Sequence, residues 1–354
     1  MVTSVAPEID RQVFGWSSSA MKLEKSKLDS SVEVPLVAIL SNPLSTTNAA
    51  GMNDIRELVD HSANVIHFEL NGMETMDEAM ALFARANPAM LVINGGDGTI
   101  GAAFASILYS GAFSSVPPIA ILPGGKTNMT AADLGSKGKP VKVLRRLLKL
   151  AKNGELAERL TKRNVIEMDL GDGEMPKVGT FFGAAGIVKG IYWCRENAYA
   201  MGLPNTVAHV YSVMKLVASA MGVGKDKDIL VSDPMSITVP GTCRIAGQYT
   251  SVVSTTLETL LLGVKPYAFK NGGTGGLRFS AIESGAGNTL RAAKGFFTGA
   301  FGDKSLDGIH VRRSDEVRVE GTDPVTLDGE IYQPVPGKPV TLRGDKELTF
   351  VSLK

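Results

Sequence analysis

The residues whose types and spacing could do chemistry begin at Leu91–Phe104, LVINGGDGTIGAAF: an apolar run, a glycine cluster with one acid at its centre, and a helix-like segment. Gly96, Gly98 and Gly101 fit the spacing Gly-x-Gly-x-x-Gly. Backbone amides at the start of a helix lack internal partners and carry partial positive charge, so they suit a phosphate. Glycines there permit close approach and, where a turn needs it, positive φ. The same spacing also suits a tight strand-to-helix turn that holds nothing. A dinucleotide site wants an acid about 20 residues further on, at the end of the next strand, and PPIAILPGGKTN in that region has none. A P-loop wants glycine five positions before Gly125, where Ala120 stands. No His-Arg-Asp or Asp-Phe-Gly segment accompanies the loop, as a protein-kinase site requires. Asp97 would repel a pyrophosphate. An acid at that point makes sense where it handles a metal ion or takes a proton from an attacking hydroxyl.

The elements that must position this loop read as alternating strands and helices. From Pro35, LVAIL is a short buried strand ending in the turn SNP. AAGMNDIRELVDH follows with Ile55, Leu58 and Val59 at helical spacing; NVIHFEL, AMLVI and PPIAIL are further strands, and TMDEAMALFARA and TIGAAFASILYSG further helices. Strands alternating with helices imply a parallel, helix-covered sheet. Around Arg163 the rhythm changes to a series of short strand-like runs with turns between them, including NVIEMDLG, KVGTFFGAAGI, QYTSVVSTTL, LRFSAIES, GIHVRRS, EVRVEG and VTLDGEIY. That series predicts a sandwich of mostly antiparallel strands, interrupted by a helical stretch over about Ile191–Gly222. Residues 1–34 are polar and rich in lysine and serine and read as a tail. The expected organisation is therefore a tail over 1–34, an α/β domain over 35–163, a β-sandwich domain over 164–331, and a closing segment over 332–354 that returns to the first domain.

Composition narrows the function classes. The chain has 354 residues, 44% of them hydrophobic, and a net charge of +1. It is long enough for two cores, and its charge balance argues against a general nucleic-acid binder. Cys194 and Cys243 show no ligand spacing and the four histidines no triad or metal spacing, so neither a zinc site nor a disulfide framework is expected. Without a secretory signal or a charge-free spanning run, a cytoplasmic setting is the expectation.

GGDGT (95–99) followed by PGGKTN (123–128) resembles the diacylglycerol kinase catalytic-domain family, the lipid kinases of diacylglycerol, sphingoid bases and ceramide. SNPLSTT (41–47) resembles that family's first-strand turn, FFGAAG (181–186) the small-residue strand that opens its second domain, and LDGE (327–330) its late Asp-Gly-Glu. The resemblance implies an α/β domain that binds ATP, a β-sandwich that faces the lipid, and an active site in the cleft between them. It implies that Gly95, Gly96, Asp97, Gly98 and Thr99 contact the ATP phosphates with Asn42 nearby, and that Gly125, Lys126, Thr127 and Asn128 form a second nucleotide loop. Asp97 would organise phosphate and a catalytic Mg2+ or share in hydroxyl activation. Glu330 would be the general base, with Asp328 beside it. The family usually reads Gly-Thr-x-Asn-Asp where this chain has Lys126 for the threonine and Met129 for the acid. TGGLRF (274–279) lacks the acids that hold a structural metal in many members, so no second magnesium site is expected.

Two other classes remain open. NAD kinases carry a related glycine loop, but they expect a downstream Asn-Glu pair, and GNTLRAAK offers no Glu. A non-catalytic lipid- or nucleotide-binding protein would not need both Asp97 and Glu330. Ser136–Lys152 is basic, free of acid and amphipathic, with Val141, Leu144, Leu148 and Ala151 at helical spacing. It reads either as a solvated surface helix or as a face attracted to an anionic bilayer, which would make the protein peripheral to the inner face of a membrane. Aromatic and Met side chains in GIYWCRENAYAMGLPNTVAHVYSVMK, and Phe296, Phe297 and Phe301, are candidates for contact with acyl chains.

Overall fold

A computed structural model describes residues 34–193, 232–260, 265, 272–298 and 306–354. Within it, Pro35–Lys354 forms one compact unit. Apart from Val34, the expected tail lies outside the described residues. So do most of the helical stretch expected over Ile191–Gly222, Phe301, and the side chains of Phe296 and Phe297.

The first four apolar runs form the parallel strands β1 (Val37–Ser41), β2 (Val65–Glu69), β3 (Met90–Gly95) and β4 (Ile119–Pro123). β1, β3 and β4 are buried along their whole length, because helices cover both faces of the sheet. Helices α1 (Asn48–Asp60) and α5 (Pro140–Lys152) cover Ile39, Val92 and Leu122. Helices α2 (Met76–Ala86) and α3 (Asp97–Tyr109) cover Leu40, Leu91 and Ile121 on the other face. The sheet order is β2-β1-β3-β4, continued beyond β4 by β18 (Glu347–Val351) and β5 (Leu160–Asn164). From β1 the chain moves outward to β2, and from β3 it moves outward in the opposite direction to β4. The carboxyl ends of β1 and β3 therefore face a crevice between diverging connections, where open α/β sheets bind ligands.

After α5 the pattern turns antiparallel. One sheet runs β10-β9-β14-β17-β6-β7 and the other β13-β12-β11-β8-β15-β16. In chain order these are β6 (Ile166–Asp169), β7 (Lys177–Gly179), β8 (Phe181–Ala184), β9 (Met235–Val239), β10 (Cys243–Gly247), β11 (Tyr249–Thr255), β12 (Leu277–Glu283), β13 (Ile309–Ser314), β14 (Glu316–Glu320), β15 (Val325–Leu327), β16 (Glu330–Tyr332) and β17 (Val340–Arg343). Their inner faces share a core of Met168, Ile237, Val317 and Leu342 against Phe182, Val252, Phe279 and Leu327. β9 alternates buried and half-buried residues, the period expected of a strand with one face in a sandwich core. Among the described residues, two helices interrupt the strands, α6 (Gly186–Trp193) and α7 (Ala286–Thr298). One of the places where the chain crosses between the two antiparallel sheets is Thr180, the single residue between β7 and β8.

Three sequence expectations change in detail. The closing segment stays in the sandwich through β17, and only after Arg343 does it cross back, where β18 (Glu347–Val351) joins the first sheet beside β4 and β5 (Leu160–Asn164). The ring of Phe350 on β18 meets Phe104 of α3 edge-on, centroids 5.7 Å apart. The buried face of α5 is Val143, Leu144, Leu147, Leu150 and Ala151, while Val141 and Leu148 are half-buried at its margin. Lys142, Arg145, Arg146, Lys149 and Lys152 are all exposed. β5 and β10 were not legible as strands, because both are edge strands in which charged residues interrupt the apolar pattern of LTKRN and CRIAG.

Gly101 in α3 is a packing glycine. An added Cβ would lie 2.5 Å from the carbonyl oxygen of Val178 on β7, a backbone atom that cannot swing aside. Gly101→Ala should therefore destabilise the protein by about 1–3 kcal/mol, read as a lower urea midpoint with unchanged slope. An unchanged midpoint would mean that α3 does not seat on β7.

Candidate active site

The crevice at the ends of β1 and β3 is built largely from backbone. Asn42, just past β1, donates its N–H to the Asn94 carbonyl at 2.8 Å. Its side-chain amide donates to Thr99 Oγ1 at 2.8 Å, and its Oδ1 accepts from the Leu44 N–H at 3.0 Å. Asn42 therefore ties the β1 turn to the first turn of α3. Asn48 reinforces this by donating from Nδ2 to the carbonyls of Asn42 and Asn94, at 2.9 and 3.1 Å.

The glycines serve close approach. None of Gly95, Gly96, Gly98, Gly124 and Gly125 has positive φ. A Cβ on Gly95 would lie 2.6 Å from Thr99 Cβ, and one on Gly125 would lie 2.8 Å from Gly96 Cα. The GGDGT and GGKTN loops thus touch backbone to backbone. Gly96 caps α3 in an extended conformation with no side-chain capping bond, so the first amides of the helix have no intrahelical acceptor. The second loop closes on itself. The Gly125 N–H donates to Asn128 Oδ1 at 2.7 Å, and Asn128 Nδ2 donates back to the Gly125 carbonyl at 2.8 Å. Asn128 adopts φ 53°, a left-handed conformation that Asn tolerates better than most residues. Between these ends, Lys126 is exposed and Thr127 half-buried. Thr47 holds the loop from α1's side, with its Oγ1 3.0 Å from the Gly125 carbonyl.

The third part of the site comes from the sandwich. Asp328 and Gly329 form the two-residue turn between β15 and β16, with φ of 50° and 89°, the hairpin that Asp-Gly favours. Asp328 Oδ1 accepts from Thr180 Oγ1 at 3.0 Å and from the Phe181 N–H at 2.9 Å, and its Oδ2 accepts from the Thr180 N–H at 2.9 Å. The turn places Glu330 at the start of β16 with its carboxylate against Gly98, so that any Cβ at 98 would collide with it. Tyr332 donates its hydroxyl to Glu330 Oε2 at 2.9 Å and steadies it. Burial, and after it the Glu330 charge, raises the Tyr332 hydroxyl above its ordinary range, so it remains a donor.

The electrostatics single out two acids. Burial pushes Asp97 up to about 6, partly offset by a hydrogen bond from the Asn128 backbone. Burial pushes Asp328 up to about 7, with the Asp97 charge as the next cause, against the donors of Thr180 and Phe181. Two carboxylates close enough to sense each other suit a hard cation, and Mg2+ is commonly held by one or two carboxylates with the rest of its shell from phosphate and water. No group of three or more His, Cys, Asp or Glu with metal-binding geometry occurs among the described residues.

The structure brings together Asn42, both glycine loops, Asp97, Asp328 and Glu330. Sequence reading missed Thr47, Asn48, Thr180 and Tyr332. Their neighbours in sequence carry motifs, but isolated hydroxyls and amides gave no signal of their own.

Residues 36–170 match the sequence model of the diacylglycerol kinase catalytic domain. Among solved structures, a diacylglycerol kinase from Bacillus anthracis str. Sterne aligns with a TM-score of 0.55 at 15% identity, over 90% of this chain and 97% of that one. A candidate diacylglycerol kinase from the same organism aligns with a TM-score of 0.59 at 16% identity, over 90% and 98%. At these identities the likeness is one of fold, and it extends through both the parallel and the antiparallel sheets. No match was found among the curated proteins.

Asp97 and Asp328 ionise at higher pH in the folded metal-free protein than in the unfolded chain, where a carboxyl titrates near 4. The folded state therefore holds more protons between about pH 4 and about pH 7, and stability falls as pH rises through that window. Asp97→Asn removes the charge that raises Asp328. It should lower the Asp328 midpoint, followed by carboxyl 13C NMR, and flatten the fall in stability. An unmoved midpoint would mean that the two acids do not sense each other.

Proposed function

Starting from the diacylglycerol kinase catalytic domain that residues 36–170 carry, we propose that this protein transfers the γ-phosphoryl group of ATP to the hydroxyl of a lipid. Diacylglycerol, ceramide and sphingoid bases are the acceptor classes. The observation that carries this reading is the contact of Glu330 with Gly98: a carboxylate from the sandwich meets the amide-rich start of α3. A phosphate and a second substrate's hydroxyl need such neighbouring environments, donors for one and a proton acceptor for the other.

In this reading the amides of Gly96–Thr99 hold phosphoryl oxygens at the mouth of α3, and Gly95, Gly125, Thr127 and Asn128 shape the cradle around them. Lys126 adds positive charge at its rim, and Asn42 supports Thr99. Glu330 takes the proton of the acceptor hydroxyl as that oxygen bonds to phosphorus. The bond from phosphorus to the β-phosphate oxygen breaks, and ADP leaves. Asp97 and Asp328 would hold a divalent cation. When bound, Mg2+ supplies neutralisation of phosphate charge and relief of the repulsion between the two carboxylates. Glu330 carries the proton-acceptor role because it is exposed to an incoming hydroxyl, whereas Asp328 is occupied by three donors.

Glu330→Gln should leave ATP binding within a few-fold while turnover falls by about a hundred- to ten-thousandfold. Near-normal turnover would remove the role from Glu330 and move it to Asp97.

We also propose that α5 orients the protein on an anionic membrane surface. No helix among the described residues is long and apolar enough to cross a bilayer. The exposed row Lys142, Arg145, Arg146, Lys149 and Lys152 lies opposite a fully seated apolar face, so it is available to attract anionic headgroups at roughly 1 kcal/mol per cation. Such attraction is screened over about 8 Å at physiological ionic strength. Replacing Arg145, Arg146 and Lys149 with Gln should weaken binding to anionic vesicles and activity on bilayer substrate, and leave activity on a short-chain soluble analogue intact. A triple variant that binds such vesicles as well as the parent would make the row an ordinary solvated face.

A further inference from the structure

We infer that Thr180 is a positioning residue: its hydroxyl links the GGKTN loop to Asp328 and so sets the Asp328–Glu330 hairpin relative to the glycine cradle. The inference rests on the phosphoryl-transfer reading of the site. β7 belongs to one antiparallel sheet and β8 to the other, so Thr180 between them has no ladder partner for its backbone groups. Both are satisfied from elsewhere. Its N–H goes to Asp328 Oδ2, and its carbonyl accepts from Thr255 Oγ1 at 2.8 Å and from the Thr256 N–H at 3.1 Å.

The hydroxyl does something the backbone cannot. A threonine has one hydroxyl proton, and Thr180 directs it to Asp328 Oδ1. The 2.9 Å contact between Thr130 Oγ1 and Thr180 Oγ1 must then run with Thr130 as donor. Thr130 belongs to the short helix α4 (Met129–Asp133), whose cap Asn128 closes the GGKTN loop and bonds to Asp97 through its backbone. With Asp328 ionised, donation runs from Thr130 through Thr180 to Asp328. Thr130 and Thr180 are both buried, so water cannot replace a lost link without rearrangement. α4 is held on the same side by Asp133, which accepts from the Thr259 N–H at 3.0 Å, just beyond the segment that bonds the Thr180 carbonyl. One threonine thus joins the loop that bonds Asp97 to the turn that carries Asp328 and Glu330.

The test compares Thr180→Val, which keeps shape and removes the hydroxyl, with Thr180→Ser, which keeps the hydroxyl. Turnover is counted per nucleotide-binding site, so that unfolded protein does not enter. Thr180→Val should lower kcat about ten- to a hundredfold, as losses behind a reacting group commonly do, while the KM for ATP stays within about threefold. Thr180→Ser should restore kcat to within about threefold of the parent. If Thr180→Val does not fold, Thr130→Val, which removes only the far hydroxyl, should show the same split to a smaller degree. A second readout needs no substrate. Hydrogen exchange at the Thr180 and Phe181 amides should be slow in the parent and in Thr180→Ser, and at least about tenfold faster in Thr180→Val. A parent that phosphorylates no acceptor would overturn the phosphoryl-transfer reading and leave the exchange comparison to judge the link. Equal kcat per site in parent and Thr180→Val, or equal exchange in all variants, would overturn the positioning role.

Discussion

The rest of the site depends on one carboxylate, that of Asp328, and the donors that hold it. Asp328 accepts three hydrogen bonds from the Thr180–Phe181 corner, and its own N–H returns to the Phe181 carbonyl at 2.8 Å. These bonds fix the β15–β16 hairpin against Thr180, one of the points where the chain passes from one antiparallel sheet to the other. Because the hairpin loop has only two residues, fixing Asp328 also fixes Glu330, which lands on Gly98 at the start of α3. Without that anchorage the acid of the sandwich and the amides of the parallel sheet would be two half-sites. Ionising Asp328 in a buried position is unfavourable, and the neighbouring Asp97 adds to the cost. An arrangement that gathers acids in this way is intelligible where a cation and phosphate charge are to be balanced against each other.

The glycines of the opening motif divide by function in a way the spacing alone does not reveal. Gly96 and Gly98 face the cradle, one against the second loop and the other against Glu330. Gly101 faces β7 and holds the two halves together. The third glycine of a phosphate-loop pattern is thus a matter of helix-to-strand distance. The two loops meet so closely that a side chain on Gly95 or Gly125 would strike its neighbour, so the cradle and the contact between loops are one requirement.

The parallel half was legible because β1, β3 and β4 are continuous apolar runs buried on both faces, and strands and helices alternate between them. The sandwich was legible as a class from VTLDGEIY and its neighbours, and Asp-Gly in that segment is a hairpin signal with a physical cause. Less was visible wherever a residue's role depends on distant chain. Thr180 lies inside KVGTFFGAAGI, which reads as a single strand-like run, and nothing local marks the change of sheet there. β18 pairs with strands far away in sequence. In α5 the stripe Val141, Leu144, Leu148 and Ala151 shares only Leu144 and Ala151 with the seated face, because a helix rich in leucine and valine offers more than one apolar stripe and the sheet beneath selects among them. Of the site, Asp97, Asp328, Glu330 and both loops were found from motifs, whereas the hydroxyls and amides that orient them were not.

The central claim is that the crevice between the two halves moves a phosphoryl group from ATP to a lipid hydroxyl. Incubation of the protein with γ-labelled ATP, Mg2+ and separate portions of diacylglycerol, ceramide, sphingosine and NAD, followed by resolution of the products, tests it most directly. The account expects label in a lipid phosphate and none in NAD. Label in NAD phosphate, or label confined to ATP and inorganic phosphate with every lipid, would contradict it.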